Sequence, residues 1–377
     1  MSGSLLIIPL TLVVLLSAYM IFLLYAARTL HRLDKLPASA QNPPVSIIVA
    51  MHNAAQDIRQ CLDCLLAQEY PPGLLEIILV ADRCSDETAR IIDTYLPLNP
   101  HLKLIVIKQV TENFAPKKYA ITTAVTQARG EIILLTDVDG RPGRFWVKSM
   151  LGSFREKVGM VIGYAPYSTD RPFNALMYRL LALEYLSHAA VAAVSTAFGY
   201  PLTCVGTNLA YRKCVFEKLG GFGRYQDYLS GDDDLFLQRV REETDWKIKY
   251  ARDPESHVFN APPRTFAQFY QQRLRYASKG FLYPSRVTTA LICFFMLNLL
   301  LLFAPFMLIW FPGILPALAG IIIVKMIAEY LFLRRAAVYL SDTRHLKLLP
   351  LASLLHTPYV VYFALMAQLQ KYTWGGK

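Results

Sequence analysis

The stretch EIILLTDVDGRP, residues 131–142, runs four apolar residues through Thr136 into two aspartates, Asp137 and Asp139, one residue apart. A short apolar run bounded by turn residues suits a strand buried on both faces, as in the parallel sheets of α/β proteins. No apolar core holds two adjacent carboxylates unpaired, so the strand must end at a rim.

The same pattern recurs upstream. Strands are expected at 45–50 (VSIIVA), 75–82 (LEIILVAD) and 102–109 (LKLIVIKQ), with the fourth at 131–137. Between them lie helical patterns at 54–70, at 85–96 with Ser85 or Asp86 as N-cap, and at 117–128. This alternation predicts βαβ units and an open parallel sheet. Ligands bind such sheets beyond the carboxyl ends of the strands. Those ends deliver Ala50, His52 and Asn53, then Asp82, then Asp137 and Asp139.

The chain is 54% hydrophobic and 18% charged, and the excess lies at its two ends. Residues 5–25 carry no charge over about 21 positions, enough to cross a bilayer. The length of this run, the lack of a basic segment before it and the lack of an A-x-A site after it argue against a cleaved signal peptide. Arg28, His31, Arg32 and Lys35 follow, which places that flank and the middle of the chain in the cytosol. Three further spans are expected at 287–311, 313–333 and 346–368, the last with a re-entrant alternative. WFPG (310–313) forms the outer turn, with Arg334, Arg335, Arg344 and Lys347 on the inner side. Lys371 and Lys377 then fall outside, against the rule. The net charge of +11 sits largely beside these spans, where it meets anionic lipid headgroups; nucleic acid is the weaker reading. Cys61 and Cys64 lack the companions of a zinc site and read as core residues, kept reduced in the cytosol. Lys325 and Glu329, one helical turn apart inside a span, are expected to pair with each other.

Carboxylates as close as Asp137 and Asp139 repel, and a hard divalent cation, Mg²⁺ or Mn²⁺, would remove the conflict while sharing its remaining sites with phosphate oxygens. A solvated turn is the plain alternative for such a pair. Two later segments favour a functional site, the first by offering a general base at a helix start. GDDDLF, 231–236, opens a helix with three aspartates where one would cap it. QQRLRYASKG, 271–280, precedes a membrane span. It also suits an interfacial helix whose Arg273 and Lys279, with nearby Arg286, hold lipid phosphates.

In this order the motifs resemble the family-two, GT-A-type inverting glycosyltransferases. They are most similar to the membrane branch with cellulose, hyaluronan and poly-N-acetylglucosamine synthases and ceramide glucosyltransferase. The resemblance covers about residues 44–285 and implies a Rossmann-like mixed-sheet domain. By position it implies that Asp82 binds the donor's base, with Ala50, His52 and Asn53 beside it, and that Lys117 lies near the nucleotide, with Lys118 as the other choice. Asp137 and Asp139 match the D-x-D that contacts metal and diphosphate. Asp233 falls at the catalytic base and Asp232 at the usual Glu before it; Gln272, Arg275 and Tyr276 match Q-x-x-R-W. Two positions depart from the pattern: Ala81 stands where the family has a first Asp, and Tyr276 stands for Trp.

The layout expected is a transmembrane helix with its basic flank (1–35), a cytosolic transferase domain (44–262), an interfacial helix (263–286) and C-terminal transmembrane helices (287–377). The chemistry expected is inverting transfer from a nucleotide diphosphosugar, a UDP-sugar, to a lipid or growing glycan, at the plasma or inner membrane. A processive synthase, a metal-dependent nucleotidyltransferase and a non-catalytic partner of a synthase are the alternatives.

Overall fold

The computed structural model describes residues 2–32, 42–169, 174–309 and 312–370. Lys35, most of the 36–44 linker, half of the WFPG turn, Lys371 and Lys377 lie outside the described residues. The chain divides into two compact units, one of residues 32–171 and 191–262, the other of 1–31, 172–190 and 263–377.

The first unit holds strands β1 (Val45–Met51), β2 (Leu75–Asp82), β3 (Leu102–Ile107), β4 (Ile132–Leu135), β5 (Arg141–Pro142), β6 (Val158–Gly163), β7 (Leu209–Arg212), β8 (Lys247–Ala251) and β9 (Val258–Phe259). Among the described residues the α-helices are α1 (Ser2–Thr29), α2 (Ile58–Leu66), α3 (Thr88–Asp93), α4 (Pro116–Gln127), α5 (Trp146–Leu151), α6 (Ala175–Ala197), α7 (Lys213–Lys218), α8 (Asp234–Glu243), α9 (Phe266–Ala277), α10 (Ser285–Phe303), α11 (Leu315–Tyr339) and α12 (Leu349–Leu369). Seven strands form one sheet in the order β3-β2-β1-β4-β7-β6-β8, and β5 pairs with β9 in a small second sheet. Strands β1 to β4 run parallel, as the alternating pattern predicts, while β7 is antiparallel to β4 and β6. The sheet is therefore the mixed, Rossmann-like sheet of a GT-A fold.

Both sheet faces are apolar, as parallel strands covered on two sides require. Ile47, Val49, Ile77, Leu79, Ile132 and Leu134 pack with Ile58, Cys61, Leu62 and Leu65 of α2 in one core. Cys61 is fully buried there, the core role its helical spacing suggested. Helix α4 packs on β1 and β2.

Strand β4 is shorter than expected. The Thr136 N–H still reaches the Ile48 carbonyl, but the chain then turns, with the Gly140 N–H donating to the Asp137 carbonyl at 2.9 Å. A Cβ on Gly140 would lie 2.4 Å from Thr136 Oγ1, so this turn accepts only glycine. Arg141 Nη1 donates to the Val138 and Gly140 carbonyls and ties the turn down.

The second unit contains α1, most of α6, and α9 to α12. Among the described residues, five helical stretches are long and apolar enough to cross a membrane: Leu10–Thr29, Ala175–Ala197, Ser285–Ile309, Pro312–Tyr339 and Leu346–Leu369. One is N-terminal and three are C-terminal, as the sequence indicates. In these four only 17–22% of the apolar window is buried, which leaves them an outward surface fit for lipid. Helix α6 differs, with 67% of its window covered by protein. Lys325 Nζ lies 2.7 Å from Glu329 Oε1, the expected pair, and Tyr19 and Ser353 add hydroxyl donors to the same carboxylate.

Candidate active site

Strand pairing brings the polar groups together. Leu135 at the end of β4 pairs with Leu209 at the start of the antiparallel β7. The residues just before β7, Gly206 and Thr207, therefore adjoin the turn just after β4. Thr207 Oγ1 donates to Asp137 Oδ2 at 2.6 Å. Below them Asn208 is fully buried. Its Nδ2 donates to the Tyr164 and Ser256 carbonyls, both at 2.7 Å, and its Oδ1 accepts from Trp146 Nε1 at 3.0 Å. These bonds lock the backbone that carries Thr207.

Lys117, in the first turn of α4, closes the group. Its Nζ lies 2.8 Å from Asp137 Oδ1 and 2.8 Å from Asp232 Oδ2. Asp233 is the N-cap of α8: Oδ1 accepts from the Asp234 N–H at 2.7 Å, and Oδ2 accepts from the Gly206 N–H at 3.0 Å. A Cβ on Gly206 would stand 3.2 Å from Asp232 Oδ2, 3.5 Å from Lys117 Nζ and 3.6 Å from Asp233 Oδ2. One ammonium, three carboxylates, a hydroxyl and a backbone N–H are thus linked by direct contacts at the sheet rim. Capping explains Asp233 in part, but it explains neither the Lys117 bridge nor the bond from Gly206.

The structure separates the two neighbouring lysines. Lys117 points to the carboxylates, whereas Lys118 is buried and donates to the Tyr225 and Ser230 carbonyls, holding the loop that leads into α8.

At the β1 and β2 ends a second group forms. His52 Nδ1 donates to the Asp82 carbonyl at 2.7 Å, and Asn53 Oδ1 accepts from the Ser85 N–H at 2.8 Å. Ala50 pairs with Val80 one residue short of this rim. Asp82 is buried, and both its oxygens accept from Arg83, from Nε and Nη2, each at 2.9 Å. Arg83 reaches back to its neighbour because its φ is +46°, a left-handed conformation uncommon for residues other than glycine. Asp86 accepts from the Ala55 and Thr88 N–H groups and pins the two loops together.

Charge in the site is unevenly settled. Burial alone would depress the Lys117 ammonium, yet Asp137 and Asp232 beside it hold it well above the ordinary lysine value. Burial pushes the Asp139 carboxyl up to about 7, and the negative charge of Asp137 adds to the rise. Asp139 is the member of the pair that a cation would relieve. Among the described residues no three His, Cys, Asp or Glu side chains form a metal cage. Carboxylate oxygens such as those of Asp137 and Asp139 are the hard donors that Mg²⁺ or Mn²⁺ takes.

Gln272, Arg275 and Tyr276 lie on α9 in the helical unit, where the Arg275 guanidinium sits 5.5 Å from the Tyr276 ring centre. Sequence reasoning left Gly206, Thr207 and Arg83 without roles. The first acts through a backbone N–H, which has no side-chain signature. The others are recognisable only once β7 is known to run antiparallel and Arg83 to be left-handed.

The model of glycosyl transferase family 21 matches residues 10–374. Over 238 residues, 62% of the chain, the protein is 27% identical to "Probable glycosyltransferase YdaM" of Bacillus subtilis. Over 239 residues it is 24% identical to the poly-beta-1,6-N-acetyl-D-glucosamine synthase of Staphylococcus epidermidis. Each match covers 54% of the relative, so the chain spans about half the length of these proteins. The fold is similar to that of a mannosyltransferase from Pyrobaculum calidifontis solved with GDP-Man and Mn²⁺. That likeness has a TM-score of 0.55 and 19% identity and covers 93% of this chain and 99% of the other.

Proposed function

The chain belongs to glycosyl transferase family 21 and is a glycosyltransferase, and from that premise we propose an inverting transfer of one sugar from a UDP-sugar to a lipid hydroxyl at the cytosolic membrane face. One observation carries the reading: Lys117 bridges Asp137 and Asp232 at 2.8 Å each, with Asp233 beside them. Catalysis by such a group rests on charge arranged before the substrate arrives.

Asp82 with Arg83, and Ala50, His52 and Asn53 beside them, receive the base. Asp137 and Asp139 would hold Mg²⁺ or Mn²⁺, which would supply positive charge against the leaving diphosphate. Lys117 adds a fixed ammonium to the same purpose, and Arg275 a guanidinium fork suited to phosphate oxygens. The Asp233 carboxylate takes the acceptor's hydroxyl proton while that oxygen bonds to the anomeric carbon. In the same displacement the bond from that carbon to the diphosphate oxygen breaks, and the configuration inverts. Gly206 and Asp234 orient the carboxylate through their N–H groups. Asp232, held by Lys117, keeps the ammonium in place.

Processive polymer synthesis is the second reading, supported by the name of the S. epidermidis relative. Single transfer is preferred because two charged groups within the spans, Lys325 and Glu329, pair with each other. A panel of UDP- and GDP-sugars, tested on purified membranes with Mn²⁺, decides both points. One sugar donor should release its nucleoside diphosphate, and the lipid extract should gain the mass of one sugar. A ladder of masses would favour the synthase, and no release from any donor would reject the transfer reading.

A further inference from the structure

Helix α6 contributes two consecutive residues to one face of α9. Glu184 Oε1 accepts from Arg273 Nη1 at 3.0 Å, and the hydroxyl of Tyr185 lies 3.5 Å from that of Tyr276. Arg273 and Tyr276 are three residues apart on α9, so they share that face. The same Glu184 oxygen accepts from the Tyr359 hydroxyl of α12 at 2.6 Å. One carboxylate oxygen thereby joins three helices. Arg273 is buried, and its guanidinium lies 5.3 Å from the Tyr276 ring centre. A bond left unmade by a buried donor is unfavourable, so this contact helps fix the rotation of α9 about its axis. The Tyr276 hydroxyl, which a Trp would lack, is the atom that meets Tyr185.

We infer that Glu184 is a positioning residue for the transfer, acting through Arg273 and Tyr359 to hold the α9 face that carries Gln272, Arg275 and Tyr276. The inference rests on the proposed use of those three residues at the donor and acceptor. Glutamine at 184 keeps the accepting oxygen and alanine removes it, so the two substitutions separate positioning from charge.

Two measurements on the full chain in detergent test it. Hydrogen exchange of residues 266–277 needs no substrate. Glu184→Ala should speed it at least tenfold while exchange in the sheet stays as in the wild type, and Glu184→Gln should leave it within about threefold. Steady-state turnover with the donor found active in the sugar panel should fall at least tenfold in Glu184→Ala, with the donor KM unchanged, and recover to a third or more in Glu184→Gln. A purely structural role would instead lower the melting temperature and move kcat and KM together. Unchanged exchange over 266–277 in Glu184→Ala, or turnover within twofold of wild type, would overturn the inference. If Glu184→Ala does not fold, Tyr359→Phe decides: exchange at least threefold faster over 266–277 supports the inference and unchanged exchange overturns it. A wild type inactive with every donor would sink the proposed function, while the exchange arm would still decide whether Glu184 holds α9.

Discussion

Replacing Lys117 by methionine keeps most of the length of the side chain and removes its charge. The oxygens it bridges, Asp137 Oδ1 and Asp232 Oδ2, stand no more than about 5.6 Å apart, twice its 2.8 Å reach. Two unit charges at that separation repel by about 3 kcal/mol at an effective dielectric constant near 20. Breaking a buried pair by removing one partner costs about 3–5 kcal/mol. Asp137 keeps 30% of its side chain exposed, which favours the lower figure. The variant should therefore lose about 3 kcal/mol at neutral pH, a fall of several degrees in the melting temperature of the purified protein. The sign of the pH effect follows from linkage. The repulsion is full where both carboxylates carry charge, at neutral pH, and shrinks as acid neutralises one partner. Added Mn²⁺ should also recover stability, more in the variant than in the wild type. A melting temperature equal to wild type, insensitive to both acid and Mn²⁺, would refute the claim that Lys117 holds these carboxylates together.

Asp233→Asn should keep donor affinity and lose turnover by about 10²–10⁴-fold, the range of general-base catalysis, read from nucleoside diphosphate release against donor binding. Asp139 must lose a proton before a cation binds, and its carboxyl is pushed up to about 7. Mn²⁺ affinity by calorimetry should therefore fall about tenfold per pH unit below that value and level off above it, and Asp139→Asn should abolish the slope. Gly206→Ala puts a methyl 3.2 Å from Asp232 Oδ2 and should slow turnover about 10–100-fold with the melting temperature nearly unchanged. Lys118→Met strands the Tyr225 and Ser230 carbonyls, at about 1–3 kcal/mol each, and should lower stability without weakening donor binding, the reverse of a residue that touches the donor.

The sheet was legible because its signal is local. LEIILVAD is apolar enough to be a buried strand and ends in a charge that must be at the rim, and β2 spans those eight residues. The D-x-D, Lys117 and the acidic start of α8 were legible as residue types in order. Their convergence was not, because it depends on β7 running antiparallel beside β4. The choice between Lys117 and Lys118 was closed to sequence: adjacent helix residues point about 100° apart, and only packing tells which one meets carboxylates and which meets carbonyls. Helix α6 escaped notice because Arg179, Glu184 and His188 interrupt its apolar run. Those polar residues are tolerated in a helix that is largely covered by protein, and Glu184 is bonded to Arg273 and Tyr359.

The most direct test is Mn²⁺-dependent release of nucleoside diphosphate from a sugar donor, compared between wild type, Asp137→Ala and Asp233→Asn in the same membranes. The account predicts release by the wild type, loss of its Mn²⁺ dependence in Asp137→Ala, and donor binding without release in Asp233→Asn. Equal release by all three proteins would contradict it.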